Sequence, residues 1–273
     1  MMKERGVIKI SVLFITKRQL AAFLLVMVIC TSVIGIFNSS LTNAAVEVVS
    51  VLIAGGKIHP IYAVDIQEKK IAISFDATWG STRTQTILNT LAKYEIKTTF
   101  FLTNIWLEKY PDLAREIARQ GHEIGLHSAT HLRMTDLSDE KALQELEDNA
   151  ALITEITGQK PVLFRPPFGA YNNRIVQLVQ EAGYVPIQWS IDSLDWKNLS
   201  ADEIYRRVTT KMAPGAIILF HNDGANTPEA LERILEYLKK EGYEVVPISD
   251  LIYKDNYYID NNGIQKLRPR TEK

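Results

Sequence analysis

Ile71-Ala72-Ile73-Ser74-Phe75-Asp76 is a short apolar run that ends on a carboxylate. Its β-branched and aromatic residues predict a strand over Ile71 to Phe75, and Asp76 falls where that strand opens into a loop. The same pattern recurs along the chain. Glu123 to Leu126 leads into His127-Ser128-Ala129-Thr130-His131, and Leu163 to Arg165 into Pro166-Pro167-Phe168-Gly169. Val185 to Ser190 precedes Asp192-Ser193-Leu194-Asp195-Trp196, and Ala216 to Phe220 ends on His221. Polar groups gathered at one end of a set of strands are what a barrel uses to build an active site.

Outward from this run, strands and helical patterns alternate from Lys70 onward, as in an α/β fold with mostly parallel strands. Thr98 to Leu102 and Glu244 to Pro247 bring the predicted strands to seven. Helices are predicted over Thr84 to Tyr94, Pro111 to Gln120, Ser138 to Thr157, Asn173 to Ala182, Ala201 to Met212 and Thr227 to Glu241, with Gly121, Gly158, Gly183 and Gly242 as stops. The expectation is a distorted (β/α) barrel of about seven parallel strands over residues 70–250. A peripheral, mobile tail is expected over residues 251–273.

Residues 20–37 carry no charge and are nearly long enough to span a bilayer core of about 30 Å. Lys3, Arg5, Lys9, Lys17 and Arg18 precede them, and the next basic residue is Lys57, so the basic leader (residues 1–19) belongs in the cytoplasm. The expected arrangement is a single-pass cell-membrane anchor with the remainder outside. The alternative is secretion after cleavage near Ala44, where Thr42-Asn43-Ala44 offers small residues. Residues 38–69 read as a linker followed by a β-hairpin, Val46 to Ile53 and Ile58 to Val64. Cys30, the sole cysteine, lies in the apolar stretch, so the folded part has no internal disulfide.

With 31 basic and 32 acidic side chains, the net charge of −1 supplies no general attraction for nucleic acid, which is excluded as a partner. At 273 residues and 46% hydrophobic content, the chain can bury one large core.

Four residues separate His127 from His131, a spacing that puts both rings on one side of a helical turn where they can share a metal ion. Ordinary hydrogen-bonding histidines are the rival reading. A bound metal acidifies water, and a carboxylate must then orient the water and take its proton. Asp76 is the candidate base; otherwise it is a strand-end turn or cap. His221 is suited to protonate a departing amine, or is satisfied by a neighbouring loop. Arg165 can hold a carboxylate through two hydrogen bonds, or form a structural salt bridge. Asp195 can orient a histidine, or serve as a turn residue. Trp196 and Leu219 line a pocket of acetyl size or belong to the core.

In order and type these five motifs resemble the polysaccharide deacetylases, the NodB-homology carbohydrate esterases, over about Lys70 to Ile248. The resemblance implies Asp76 as general base, His127 and His131 as metal ligands, and Arg165 as the residue that positions the base. It also implies Phe168 as a backbone N–H donor to the oxyanion, Asp195 as tuner of the acid, Trp196 and Leu219 as pocket walls, and His221 as the acid. A divalent metal is implied, zinc with cobalt or nickel as alternatives.

One position departs from the pattern. The family carries a second Asp as metal ligand after the base, and here that position is Ala77. Three readings stay open: a metal on two histidines and water, Asp76 as a ligand, or a glycan-binding protein without turnover. The following Trp79-Gly80 resembles the sporulation-type subgroup. The expected reaction is release of acetate from N-acetylated amino sugars of a cell-wall or spore-cortex polymer.

Overall fold

The computed structural model describes residues 56–269. The expected leader, the apolar span, the cleavage site and the first hairpin strand all lie outside the described residues. Within them, no helix is long and apolar enough to cross a membrane.

The strands are β1 (Ala63–Val64), β2 (Lys70–Ala77), β3 (Thr99–Leu102), β4 (Glu123–Leu126), β5 (Leu163–Phe164), β6 (Val185–Pro186), β7 (Ile191–Asp192), β8 (Ile217–His221), β9 (Glu244–Val245), β10 (Tyr257–Ile259) and β11 (Ile264–Leu267). The helices are α1 (Thr84–Lys93), α2 (Asn104–Lys109), α3 (Pro111–Arg119), α4 (Asp139–Thr157), α5 (Asn173–Glu181), α6 (Ala201–Thr209), α7 (Thr227–Glu241) and α8 (Ile248–Leu251). The main sheet is parallel and runs β6-β5-β4-β3-β2-β8-β7, with β9 added to β2.

After Lys70, every residue of β2 is buried, as expected for a parallel strand covered on both faces. Successive side chains alternate between two cores. Ile71, Ile73, Phe75 and Ala77 pack outward with the helices, and Phe75 stacks between Phe100 and Phe220 at centroid distances of 5.0 and 5.8 Å. Inward, Ala72 joins Phe101, Leu163, Ile187, Ile217 and α8 in an apolar plug. Further along the same inner face come Ser74, whose hydroxyl donates to Ile218 O, and then Asp76. Polarity therefore rises along the interior toward the strands' C-terminal ends.

The parallel α/β sheet agrees with the sequence, but it curls without closing strand to strand. Edge strands β6 and β7 do not pair with each other among the described residues. The chain from Ile61 to Ala63 bridges Ile187 on one side and Ala216 on the other. The expected strand over Val185 to Ser190 stops at Pro186 because Gln188 turns its N–H to Ile61 O. β7, α2 and α8 had no counterpart in the sequence reading.

The expected mobile tail is a correction. β10 and β11 form an antiparallel ribbon, and β11 runs parallel to β1. Among the described residues, Ala63–Val64 finds its strand partner in β11.

Candidate active site

Parallel register brings the functional groups to one level. Asp76 on β2 pairs with His221 on β8, and Arg165 donates its backbone N–H to Leu126 O, directly before His127. Asp76, His127, His131 and His221 line one cavity of about 650 Å3, with Phe168, Trp196 and Leu219 on its walls. Arg165 and Asp195 sit behind this surface, fully buried. All nine residues singled out in the sequence therefore meet in a single constellation.

Asp76 Oδ1 accepts from Arg165 Nη1 at 2.7 Å, and its Oδ2 lies 3.5 Å from His127 Nε2. The guanidinium is clamped between Phe101 and Trp189, 4.2 and 5.5 Å from the ring centres, and donates a second bond to Gln188 O. Burial alone would raise the Asp76 pKa. The Arg165 charge, then His127 and His221, outweigh that and hold the carboxyl below its ordinary value. Asp76 stays ionised.

His221 shows the opposite balance. Its Nδ1–H donates to Asp195 Oδ1 at 2.8 Å, while Asp195 Oδ2 accepts from the His221 backbone N–H and from the Thr227 hydroxyl. Burial would lower this imidazole's pKa, but the hydrogen bond and charge of Asp195, followed by Asp76 and Asp192, raise it above the usual histidine value. A carboxyl whose pKa is lowered thus pairs in register with an imidazole whose pKa is raised.

The two other histidines are kept neutral. His127 Nδ1–H donates to Arg165 O at 2.8 Å, which leaves the Nε2 lone pair free. Burial lowers its pKa, and burial followed by the His127 charge takes His131 down to about 4. The rings lie 4.9 Å apart, and His131 Nδ1 is buried without a hydrogen-bond partner. The connecting chain is not the helical turn expected from the spacing. Ser128 and His131 both adopt positive φ, 68° and 56°, and a loop aligns the rings.

Helix α4 holds that loop. Asn149 Oδ1 accepts from the His127 backbone N–H, while Glu145 accepts from Thr130 N–H and hydroxyl through its carboxylate and from Ala129 N–H through its backbone carbonyl. The sequence reading identified the helix but not these two inward-facing side chains. It also passed over Thr227, Trp189, and the loop pair Asn222 and Asp223. Asn222 ties Gly80 O to Thr84, and Asp223 accepts from Arg83 N–H. A Cβ at Gly80 would lie 1.9 Å from Asp223 Oδ2, so a larger residue there would push this carboxylate aside.

Two neutral imidazoles, one with its tautomer set by a carbonyl and one with an orphaned nitrogen, fit two ligand positions of a divalent cation. A third protein ligand is absent: among the described residues no group of three His, Cys, Asp or Glu side chains could hold a metal ion. Ala77 is buried on the outward face of β2, among apolar side chains, and does not line the cavity.

Residues 63–187 match the family model for polysaccharide deacetylase. The chain is 36% identical, over 70% of its length and 92% of the relative's, to a peptidoglycan-N-acetylglucosamine deacetylase from Bacillus cereus. The chain belongs to the polysaccharide deacetylase family. Among solved structures it is similar to a CE4 family pseudoenzyme from Bacillus anthracis, at 33% identity and a TM-score of 0.68 over 70% of this chain and 68% of that one. A mutant of that pseudoenzyme with restored enzymatic activity is similar to the same degree, at 34% identity and a TM-score of 0.68 over 70% of both chains. This deacetylase-family fold therefore occurs in solved structures both with and without activity.

Proposed function

We propose that this deacetylase-family protein hydrolyses N-acetyl groups on amino sugars of a cell-wall or spore-cortex glycan, working outside the cell from a membrane anchor at residues 20–37. Secretion after cleavage near Ala44 is the alternative arrangement. The observation that carries the reading is the oppositely tuned pair at one cavity, with the Asp76 pKa held down by Arg165 and the His221 pKa held up by Asp195. Such a split assigns base and acid.

In this reading Asp76 takes a proton from water as the water oxygen bonds to the acetyl carbon. His221 delivers a proton to nitrogen as the carbon–nitrogen bond breaks, leaving acetate and an amine. Arg165 and Asp195 position the two groups, the Phe168 N–H faces the developing oxyanion, and Leu219 and Trp196 bound the acetyl pocket. A divalent cation, zinc or else cobalt or nickel, would be held by His127 and His131, and when bound it supplies Lewis-acid polarisation and acidifies water.

A second reading is favoured by Ala77 and by the likeness to a pseudoenzyme: a glycan-binding protein that keeps the cavity without turnover. Acetate release by the full-length chain in mild detergent, from N-acetylated peptidoglycan and chitin oligomers, separates the two. Metal-stimulated, chelator-sensitive release that falls by roughly 10²-fold or more in Asp76→Ala supports catalysis. Binding without release, unchanged by Asp76→Ala and His221→Ala, supports the second reading. Within the same assay, Ala77→Asp places a carboxylate on the outward, apolar face of β2, so it should lower stability without raising metal affinity or turnover; a joint gain in both would show that this position reaches the cavity.

A further inference from the structure

The cavity's rim gathers most of the exposed aromatic surface of the described chain. Trp79, Phe168 and Trp196 are 65%, 62% and 56% exposed, and all three line the same mouth. Trp79 and Phe168 flank His131 at centroid distances of 5.9 and 4.6 Å, while Trp196 follows the Asp195 that holds His221. Ring faces left in water around a cavity that gathers a few convergent polar groups are a ligand surface, and a pyranose offers C–H groups to lie on them.

Charge around this mouth is ordered. No Lys or Arg lines the cavity. Asp76 is balanced by Arg165 and Asp195 by His221, which leaves Asp192 and Asp223 as lining carboxylates without an ion pair among the described residues. A sugar bearing its own carboxylate would meet two like charges there; a neutral N-acetyl sugar would not, and its amine product would be drawn in as a cation.

Just beyond the rings the sign reverses. The Arg133 guanidinium lies 5.3 Å from the Phe168 ring centre, and the Lys197 ammonium lies 5.0 Å from that of Trp196. Both residues are exposed, and neither forms an ion pair among the described residues.

Resting on the glycan reading, we infer that Arg133 and Lys197 form two accessory subsites for acidic groups on the sugars flanking a neutral N-acetylhexosamine in the cavity. An acidic centre with basic flanks complements a polymer that alternates neutral and acid-bearing units. A strand of N-acetylglucosamine alternating with its 3-O-lactyl derivative has that alternation, and chitin does not. Trp79 serves both polymers as a stacking face.

The test is binding by the full-length chain with chelator present, so that turnover does not intervene. The probes are chitotetraose and a tetrasaccharide of the alternating strand with free lactyl carboxylates. The alternating glycan is expected to bind more tightly, with a margin that narrows as salt is raised. Arg133→Ala and Lys197→Ala should each weaken it about threefold and leave chitotetraose unchanged, because an exposed ion pair contributes modestly. Trp79→Ala should weaken both glycans. Equal wild-type affinity for the two, or equal losses on both in the Arg133 and Lys197 variants, overturns the inference while leaving the glycan reading intact. Binding to neither glycan rejects both.

Discussion

At the scale of single residues, the site depends on two carboxylates with different partners. Asp76 faces a guanidinium and stays ionised, while Asp195 faces an imidazole and raises its pKa. Because His221 holds its proton above the ordinary value of 6.5, kcat/KM should stay high through neutral pH and fall as pH rises through the raised value. Asp195→Asn removes the leading raising influence and should move that alkaline limb down, toward or below 6.5, with activity at pH 8 reduced by about tenfold or more. A pH–rate profile of the variant checks this, and an unmoved limb would remove His221 from the role of acid. Stability follows the same sign. The pair's contribution is complete below the unfolded value and is lost as pH rises through the folded one. Asp76, Arg165 and His221 were legible in the sequence because each ends an apolar run, and Asp195 because it lies in the short polar motif that follows one. Thr227, which donates to Asp195 from the start of α7, was not, since nothing local marks a threonine that reaches across 32 residues.

At the scale of elements, α4 illustrates where pattern reading stops. Ser138 caps it and Gly158 ends it in the left-handed conformation, both visible in the sequence. Yet the helix buries Glu145 and Asn149, which an amphipathic reading assigns to water. Their buried polar groups are satisfied by the loop from His127 to Thr130, so the helix acts as a template for a loop that has two positive-φ residues. Glu145→Ala should therefore cost about 1–3 kcal/mol of stability by leaving Thr130 donors unpaired, and should also weaken cation binding. Glu145→Gln keeps one acceptor for the Thr130 N–H, its amide NH2 can donate to the Thr130 hydroxyl in place of the second acceptor, and it should recover most of the affinity. Competition with a chromogenic chelator, run beside thermal melts, separates the two effects. If Ala and Gln lose stability equally while metal affinity stays at the wild-type level, the helix carries only weight and no alignment.

At the scale of the whole molecule, the gap between the sheet's edges is bridged by the segment from Ile61 to Ala63, which is backed by β11. The sequence marks the alternating strands and helices of the deacetylase fold clearly, because each strand is a local apolar run. It marks the seam poorly, because β1 is two residues long, β11 is partly polar and the paired Ala63 and Ile264 are far apart in sequence, so their pairing is invisible to any local pattern. The join is specific. Tyr62 N–H donates to Gly263 O and Asp65 N–H to Gln265 O, while the fully buried Gln265 exchanges side-chain hydrogen bonds with Tyr253. Ile61 and Val64, packed in the inner core beneath the site, are held from outside by this ribbon. Ending the chain after Lys254 removes those bonds and uncovers the edge. At about 1 kcal/mol per net hydrogen bond, the loss is several kcal/mol, enough to lower the melting midpoint by roughly 5 °C or more. A mobile tail would give a shift within about 1 °C, because surface segments without buried partners contribute little. Melting curves of the two chains decide between these outcomes. Below the new transition kcat/KM should match the full chain, since the ribbon contributes no residue to the cavity wall. A fall in kcat/KM at a temperature where the shortened chain is still folded would mean that the seam also holds the catalytic level in register.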